Sequence, residues 1–524
     1  MEKTSKINNC NFIINSRSTS SGLNLVFILL FILSILPDRS AGQESGNLID
    51  EWAGVKVKDM YPSFYVNEWE QMHKSKKKAM DDFSDMKYGM FIHFGVYTTT
   101  GGIWEGKRME DWKRSRHVEW LMLSARIPRE KYETLFPLFN PVKFNAEEIV
   151  TLALNAGMKY LVVTSKHHDG FAMYETKYSP YNIMDATPFK RDIIRELHDA
   201  CRKHGIAFGV YYSHNIDWLE GSDSQLAEVI EKNIDIGYPN KAVCANDWDP
   251  SPNTFTDYLE KKAYPQIREL LTKYPDIFCL WYDMPWRMKP SQSFNFYKIP
   301  YDINSKVLIS ERIGHGFGDY YIPGDNEIPH NTEKIQKSWE TCGTNNNSWA
   351  FKSYDEDWKS PKEILYWLVD VVSKGGNYLL NIGPDPQGSV PGQATDNLLS
   401  VGRWLKTNGE AVYGTSRWNI VREGPREEFD IKGTVDRATR GFQDNFTVRD
   451  FWFTKKDNSV YAICLASPGK EILINSFNKE SVKIKNVEVL GLGRVKYTQT
   501  SKGLNVVIPK NFKPESGFVV KVRI

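Results

Sequence analysis

The sequence predicts an α/β protein, a distorted (β/α) barrel followed by a C-terminal antiparallel β-sandwich. Between residues 85 and 415, short apolar runs alternate with helical patterns, the order expected of parallel strands joined by helices. Polar or aromatic residues follow most of these runs, as they do at the strand ends of a barrel that carries a site. After about residue 418 the pattern changes to short alternating segments.

The barrel, predicted for residues 50–420, opens with the strand "YGMFIHFG". Helices at "AEEIVTLALNAG" and "KRDIIRELHDACRKHG" end at Gly157 and Gly205, residues suited to closing a helix. They lead into "MKYLVVTSKHHDG" and "IAFGVYYSHNIDW", and further strands follow at "DIFCLWYDMPW", "KVLISERIG" and "NYLLNIGP". About six strands are clear, which predicts an incomplete or distorted barrel.

The β-sandwich is predicted for residues 425–524. Segments such as "SVYAICLAS", "KEILINSF" and "GFVVKVRI" alternate in polarity and are separated by turns, and no helix is expected among them.

Residues 1–42 are predicted to be a signal peptide. Basic residues precede the apolar run 23–37, and small residues suited to cleavage follow it. The run is short for a spanning helix of about 20 residues, and no later segment is apolar enough to span. We therefore expect a secreted, periplasmic or lysosomal protein without a membrane span after cleavage; an uncleaved anchor is the alternative.

The amino-acid composition limits the classes of function that the chain can have. The 67 basic residues nearly balance the 65 acidic ones, so the sequence lacks the excess positive charge that is typical of proteins that bind the nucleic-acid backbone. Aromatic residues make up 13% of the chain, and their flat rings suit either a sugar-binding cleft or an aromatic-rich core. The five cysteines beyond residue 42 form neither a disulfide framework nor a metal-binding pair; a single bridge stays open.

Chemically versatile residues recur at five strand exits. Because strand ends of a barrel converge on one mouth, these residues are expected to meet although they are distant in sequence. They are His93 in "FIHFG", His167, His168 and Asp169 in "KHHDG", Tyr211 and Tyr212 in "GVYYS", Asp283 in "LWYDMPW", and Arg312 in "LISERIG".

Two chemistries could use this set. Histidines and an aspartate could hold a metal that activates water, although His167 and His168 could both ligate only if the strand bends. In glycoside hydrolysis an ionised carboxylate attacks the anomeric carbon while imidazole, Tyr and Arg bind hydroxyl groups. Asp283 suits the nucleophile, because Trp281 and Trp286 offer a wall for a sugar face and Arg312 would keep the carboxylate ionised.

A set of ordered motifs resembles the α-L-fucosidases of glycoside hydrolase family 29. The resemblance covers roughly residues 60 to 420 and includes "MKYGMFIHFGVY", "TSKHHDGFAMYETKYSPYN", "LWYDMPW", "WETCGTNNNSWAF" and "GEAVYGTSRW". It implies a distorted barrel with a C-terminal β-sandwich and hydrolysis of terminal α-L-fucosides with retention through a covalent intermediate. No metal or organic cofactor is implied, and the expected partner is a fucosylated glycan.

The resemblance also assigns residues. It implies that Asp283 is the nucleophile and that the sugar pocket is formed by His93, Glu119, Trp120, His167, His168, Tyr211, Trp281 and Arg312.

The general acid/base departs from the family pattern. An ungapped match to the family's D-aromatic-x-T-P/A-E stretch puts Gly324 of "GDYYIPGDNEIP" where the glutamate belongs. Glu327 is the preferred substitute and Asp325 the alternative. A retaining mechanism needs the two carboxyl groups about 5 to 5.5 Å apart.

Three other functions stay open. The altered loop would suit a family member that acts on a related sugar such as L-galactose. A protein that has lost its acid would bind fucose without hydrolysing it. The third alternative is a metal-dependent hydrolase.

Overall fold

A computed structural model describes residues 63–112, 115–221, 246, 248–285, 288–330, 332, 335, 337–426 and 433–524. The predicted signal peptide, residues 1–42, lies outside the described residues, as does Trp286. Over the described part of the chain, no helix has the length and apolarity needed to cross a membrane.

The first half of the fold is a curled parallel sheet of seven strands. Its spatial order is β7-β6-β5-β4-β1-β9-β8, and every neighbouring pair is parallel. The first nine strands of the chain are β1 Tyr88–Ile92, β2 Ile103–Trp104, β3 Lys107–Arg108, β4 Tyr160–Lys166, β5 Ala207–Tyr212, β6 Ile277–Tyr282, β7 Leu308–Ile309, β8 Glu340–Thr344 and β9 Asn377–Ile382. Strands β2 and β3 form a separate short hairpin.

An irregular segment closes the gap between β7 and β8. Residue Tyr320 bridges in parallel to Ser310 after β7, and Tyr321 bridges in parallel to Trp339 before β8. The segment takes the place of an eighth strand without forming a continuous ladder. The predicted distortion of the barrel is therefore found here, between the strand that precedes Arg312 and the strand that begins at Glu340.

Thirteen α-helices lie among the described residues, and most of them alternate with the strands of the parallel sheet. They are α1 Ser63–Ser75, α2 Lys77–Met86, α3 Leu121–Ser124, α4 Arg129–Glu133, α5 Ala146–Asn155, α6 Ile183–Ala186, α7 Ile193–His204, α8 Phe255–Tyr258, α9 Tyr264–Lys273, α10 Pro290–Ile303, α11 Pro361–Ser373, α12 Gly392–Asn408 and α13 Gly433–Arg440. As predicted, Gly205 ends α7 in the left-handed conformation, with φ +69°.

Two antiparallel sheets follow the barrel, as predicted. The larger has the order β10-β11-β12-β18-β14-β15 and the smaller the order β13-β17-β16, and their facing side chains form a separate apolar core. The strands are β10 Ser416–Glu423, β11 Phe451–Lys456, β12 Ser459–Cys464, β13 Glu471–Ile474, β14 Asn486–Val489, β15 Gly493–Arg494, β16 Tyr497–Thr500, β17 Gly503–Val507 and β18 Phe518–Arg523.

The expectation that the C-terminal region lacks helices was wrong. Helix α13 lies between β10 and β11, and its Arg437 is almost fully buried. The Arg437 guanidinium donates to both carboxylate oxygens of Glu363 in α11, at 2.7 and 3.0 Å. This paired charge holds α13 against the barrel, a tertiary contact that local sequence periodicity does not reveal.

The barrel interior contains a buried carboxyl group. Glu340, only 1% exposed, accepts hydrogen bonds from the Tyr160 hydroxyl at 2.5 Å and from the Trp281 indole at 3.0 Å. Burial raises the pKa of Glu340 to about 7, although the two hydrogen bonds and Arg312 oppose the shift. Burial in the barrel interior therefore favours the neutral acid form of Glu340 over its carboxylate.

We predict that Gly402→Ala destabilises the fold. A Cβ at Gly402 in α12 would lie 1.8 Å from the backbone oxygen of Asn155 in α5, so the two helices would have to separate. Such overpacking costs about 1 to 3 kcal/mol in the free energy of unfolding, measured in urea. Gly392→Ala, at the start of the same helix with no atom within 4 Å of its Cβ position, is the control. Equal losses in the two variants would contradict this packing.

We also predict that Glu340→Gln flattens the pH dependence of stability. The pKa of Glu340 in the folded state, about 7, exceeds its ordinary value of 4.5, so its contribution is present below pH 4.5 and is lost as pH rises through 7. A shift of this size corresponds to about 3 kcal/mol. Denaturant unfolding between pH 5 and 8 should give a shallower decline for the variant; parallel curves would refute the assignment.

Candidate active site

Asp283 directly follows β6 at the mouth of the barrel. Its Oδ1 accepts from Arg312 Nη1 at 3.1 Å and from the Met284 backbone N–H at 3.0 Å, and its Oδ2 accepts from the Tyr211 hydroxyl at 3.1 Å. The side chain is 14% exposed. Burial raises the pKa of Asp283 above its ordinary range, Arg312 opposes this shift, and the charge of Asp325 adds to it.

Arg312 joins two carboxylates. Its second nitrogen, Nη2, donates to Asp325 Oδ1 at 2.5 Å and to the Pro323 carbonyl at 3.2 Å. Arg312 follows the end of β7 at Ile309 and lies on the short 3-10 turn Glu311–Ile313. The turn places one guanidinium between Asp283 and the altered loop.

The loop that carries both acid/base candidates lies against β8. Asp325 is 28% exposed and contacts Cys342 Sγ at 3.6 Å as well as Arg312. Glu327 folds back towards Gly324: a Cβ at that glycine would lie 2.4 Å from Glu327 Oε2. The structure thus brings Asp325 to the guanidinium that also holds Asp283. The choice between Asp325 and Glu327 as acid/base stays a prediction.

His167 and His168 lie side by side beyond the end of β4. The chain turns after Lys166, where the Gly170 N–H donates to the His167 carbonyl at 3.1 Å, so both rings point into the barrel mouth with centroids 4.2 Å apart. His167 stacks on Tyr211, and His168 Nε2 lies 3.8 Å from Asp283 Oδ2. The chain therefore has the bend that adjacent histidines need in order to face the same side, which a regular strand would not allow.

Neighbouring groups fix the protonated nitrogen of two histidines. Asn381 Nδ2 donates to a carbonyl, so its Oδ1 is free to accept from His93 Nδ1 at 2.7 Å. Ser213 donates to the Ile216 carbonyl, so its Oγ accepts from His168 Nδ1 at 2.7 Å. Because each Nδ1 carries the proton, Nε2 of both neutral rings is a hydrogen-bond acceptor.

Burial keeps these rings neutral. It lowers the pKa of His93 to about 3 and the pKa of His167 and His168 well below the ordinary value, in the latter two assisted by neighbouring positive charges. Burial also raises the pKa of Glu119 to about 7. The mouth of the barrel is therefore lined by uncharged imidazoles beside an ion-paired carboxylate.

Three buried polar atoms in the mouth have no hydrogen-bond partner among the described residues. They are His167 Nδ1, His168 Nε2 and Glu119 Oε1. The other Glu119 oxygen accepts from the Ala350 backbone N–H at 3.1 Å, and the neighbouring Trp120 packs edge-on against His168. Buried atoms without partners are expensive unless a ligand satisfies them, and a polyhydroxylated molecule supplies both donors and acceptors.

Several predicted residues lie elsewhere. Asp169, in the loop after β4, accepts from the Tyr132 hydroxyl at 2.9 Å. Tyr212 packs in the main apolar core and donates to Gln266 in α9 at 2.8 Å. The Trp281 ring, 1% exposed, has Tyr211 stacked against it and the Arg312 guanidinium 5.0 Å from its centroid. The stacking surface expected at Trp281 is thus already covered within the protein.

Sequence reasoning missed the residues that orient the histidines. Ser213 and Trp349 lie inside quoted motifs, but nothing in those motifs marks them as partners of the histidines, and only the register of β9 beside β1 brings Asn381 under His93. Within the described residues, no group of three or more His, Cys, Asp or Glu is arranged to hold a metal ion. Cys201, Cys279, Cys342 and Cys464 are free thiols.

Comparisons with known proteins agree with this geometry. Residues 55–410 match the family model described as alpha-L-fucosidase, and residues 443–523 match the alpha-L-fucosidase C-terminal domain. Tissue alpha-L-fucosidase of Rattus norvegicus is 28% identical over 90% of this chain and 95% of its own, and that of Homo sapiens is 28% identical over 86% and 89%.

Solved structures are similar over the same span. The alpha-fucosidase of Thermotoga maritima superposes with a TM-score of 0.68 at 28% identity, covering 87% of this chain and 99% of its own. A family 29 alpha-L-fucosidase from Bacteroides thetaiotaomicron, solved as a trapped covalent intermediate, gives a TM-score of 0.68 at 25% identity over 85% and 96%. The chain therefore belongs to the α-L-fucosidases of glycoside hydrolase family 29.

Proposed function

We propose that this protein is a retaining exo-α-L-fucosidase that releases terminal α-L-fucose from glycans, with Asp283 as nucleophile and Asp325 as general acid/base. The observation that carries the proposal is the Arg312 guanidinium, which donates to both carboxylates at the mouth of the barrel. Two carboxyl groups held this way flank the space in which a glycosidic bond would lie. The covalent intermediate trapped in the B. thetaiotaomicron relative supports double displacement.

In the first step, Asp283 Oδ2 attacks the anomeric carbon as the bond from that carbon to the glycosidic oxygen breaks. Arg312 and Tyr211 donate to the carboxylate and keep it ionised and oriented. Its partial burial leaves it poorly solvated, so little water has to be displaced before the attack.

The departing oxygen takes its proton from Asp325. In the second step the same carboxylate removes a proton from water, which attacks the anomeric carbon and frees Asp283, so the configuration is retained. Asp325 Oδ1 already accepts from Arg312, the guanidinium that also donates to Asp283. This engagement favours, as a second candidate, a protein that binds fucosides but hydrolyses only those with good leaving groups.

Sugar recognition falls to neutral groups. His168 Nε2 would accept from a ring hydroxyl, and Glu119 Oε1 would accept or donate according to its protonation state. His93 Nε2 offers a third acceptor beside them. Such sites discriminate strongly against sugars that lack the matching hydroxyl group, because a buried atom is then left unpaired.

The proposed location is a secretory compartment or the medium. It rests on the sequence of residues 1–42 alone, whose basic start, apolar core and small residues are typical of a signal peptide. A fucosylated glycan is the proposed partner.

We predict that Asp283→Gly abolishes turnover and that azide restores part of it. Loss of a nucleophile lowers kcat on the order of 10⁴ to 10⁶-fold, whereas a small anion can enter the space left by the carboxylate. Hydrolysis of an activated aryl α-L-fucoside with and without azide is the measurement. Asp276→Gly, an exposed residue just before β6, is the control and should retain activity. Absence of azide rescue together with residual turnover would remove Asp283 from the nucleophile role.

We predict that Asp325→Asn and Glu327→Gln differ in their dependence on the leaving group. Without its acid, the enzyme should lose about 10² to 10⁴-fold in kcat/KM on a natural glycan but little on the activated aryl fucoside, which needs no protonation. We expect this leaving-group-dependent loss for Asp325→Asn. Glu327→Gln should resemble the wild type on both substrates. The reverse result would assign the acid to Glu327, and two unaffected variants would exclude the loop.

A further inference from the structure

A buried lysine lies behind the loop that carries the two acid/base candidates. Lys359, 0% exposed, precedes α11 and donates from Nζ to Asn326 Oδ1 at 3.0 Å. Asn326 is the residue between Asp325 and Glu327. The lysine is thus one side chain away from the two carboxylates on either side of Asn326.

Asn326 fixes the turn in three ways. Its φ of +51° is left-handed, a conformation that asparagine tolerates better than most residues. Its Oδ1 also accepts from Thr344 N at 2.9 Å, and its backbone N–H donates to the Cys342 carbonyl at 3.0 Å. Thr344, the last residue of β8, and Lys359 therefore both donate hydrogen bonds to the Asn326 amide oxygen.

Burying the Lys359 ammonium group at this position costs free energy, because the charge loses its contact with water. Burial lowers the pKa of Lys359 to about 7; Glu363 raises it, Arg437 lowers it, and Cys342 and Asp357 raise it further. Glu363 itself is already paired with Arg437, so the Lys359 Nζ is directed to Asn326 and to the face of Trp367, 4.6 Å from the ring centroid. A methionine would fill similar volume without the cost of burying an amine.

We propose that Lys359, acting through Asn326, is a positioning residue that holds the turn 325–327 so that Asp325 meets Arg312 and the leaving-group oxygen. The inference rests on the proposed function, because it concerns the acid step of that reaction. Without the Lys359 donor to Asn326 Oδ1, the turn keeps its bonds to β8 and the bond from the Gly433 N–H to the Asn326 carbonyl at 3.3 Å, but its amide side chain is held less firmly. The Asp325 carboxyl can then shift relative to Asp283. Since a misplacement of about 1 Å costs as much as 10²-fold in rate, the acid step is the one affected.

The test compares Lys359→Met with the wild type on two substrates, a fucosylated oligosaccharide and an activated aryl α-L-fucoside. We expect a loss of about tenfold or more in kcat/KM on the oligosaccharide and less than about twofold on the aryl fucoside. A general loss of packing would lower both rates together. Lys374→Met, a buried lysine near the other end of α11 that pairs with Asp370 at 3.0 Å, is the matched control and should leave the ratio of the two rates unchanged.

Asn326→Gly provides the second variant. Glycine keeps the left-handed backbone but removes the oxygen that Lys359 holds, so it should reproduce the change in rate ratio even where Lys359→Met does not fold. The positioning role is overturned if every variant that folds keeps the wild-type ratio of kcat/KM on the oligosaccharide to kcat/KM on the aryl fucoside. A wild-type protein that cleaves neither substrate would instead overturn the proposed function, and this inference with it.

Discussion

One guanidinium group, shared by two carboxylates, organises the active site. Arg312 donates to Asp283 through one nitrogen and to Asp325 through the other, and its flat face lies over Trp281. The planar fork of arginine fixes both acids in one frame, which a lysine could not do. Below it, Trp281 donates to the buried Glu340, so the orientation of Arg312 is supported from the interior of the barrel.

The break in barrel symmetry makes this arrangement possible. In a regular barrel an eighth strand would continue beside β7 and would carry its side chains alternately in and out. Here the short β7 gives way to a 3-10 turn that carries Arg312, and the irregular segment around Tyr320 leads directly into the loop with Asp325. The distortion and the loop that carries Asp325 and Glu327 are consequently parts of one continuous stretch of chain.

Much of this could be predicted from the sequence. Apolar runs followed by His93, His167, His168 and Asp283 indicated strands that deliver polar groups to one mouth, and the structure brings these four residues together with Arg312. The resemblance to the fucosidases supplied Glu119 and Trp120, which no periodicity identifies.

What could not be predicted depends on tertiary contacts. The register of β9 beside β1 brings Asn381 to His93, and the docking of α13 depends on a buried ion pair between residues 74 positions apart. The position of Asp325 depends on a left-handed turn at Asn326, which a stretch rich in Gly, Asp and Asn permits but does not require. In each case a distant partner decides which of several local possibilities is adopted.

The shielded imidazoles have a physiological consequence. Because the rings of His93, His167 and His168 stay uncharged far into the acidic range, the donors and acceptors that these rings present at the barrel mouth stay the same between neutral and mildly acidic pH. Acidification would instead protonate Glu119, whose pKa lies at about 7, so that one carboxyl group gains a donor while the imidazole positions around it stay uncharged.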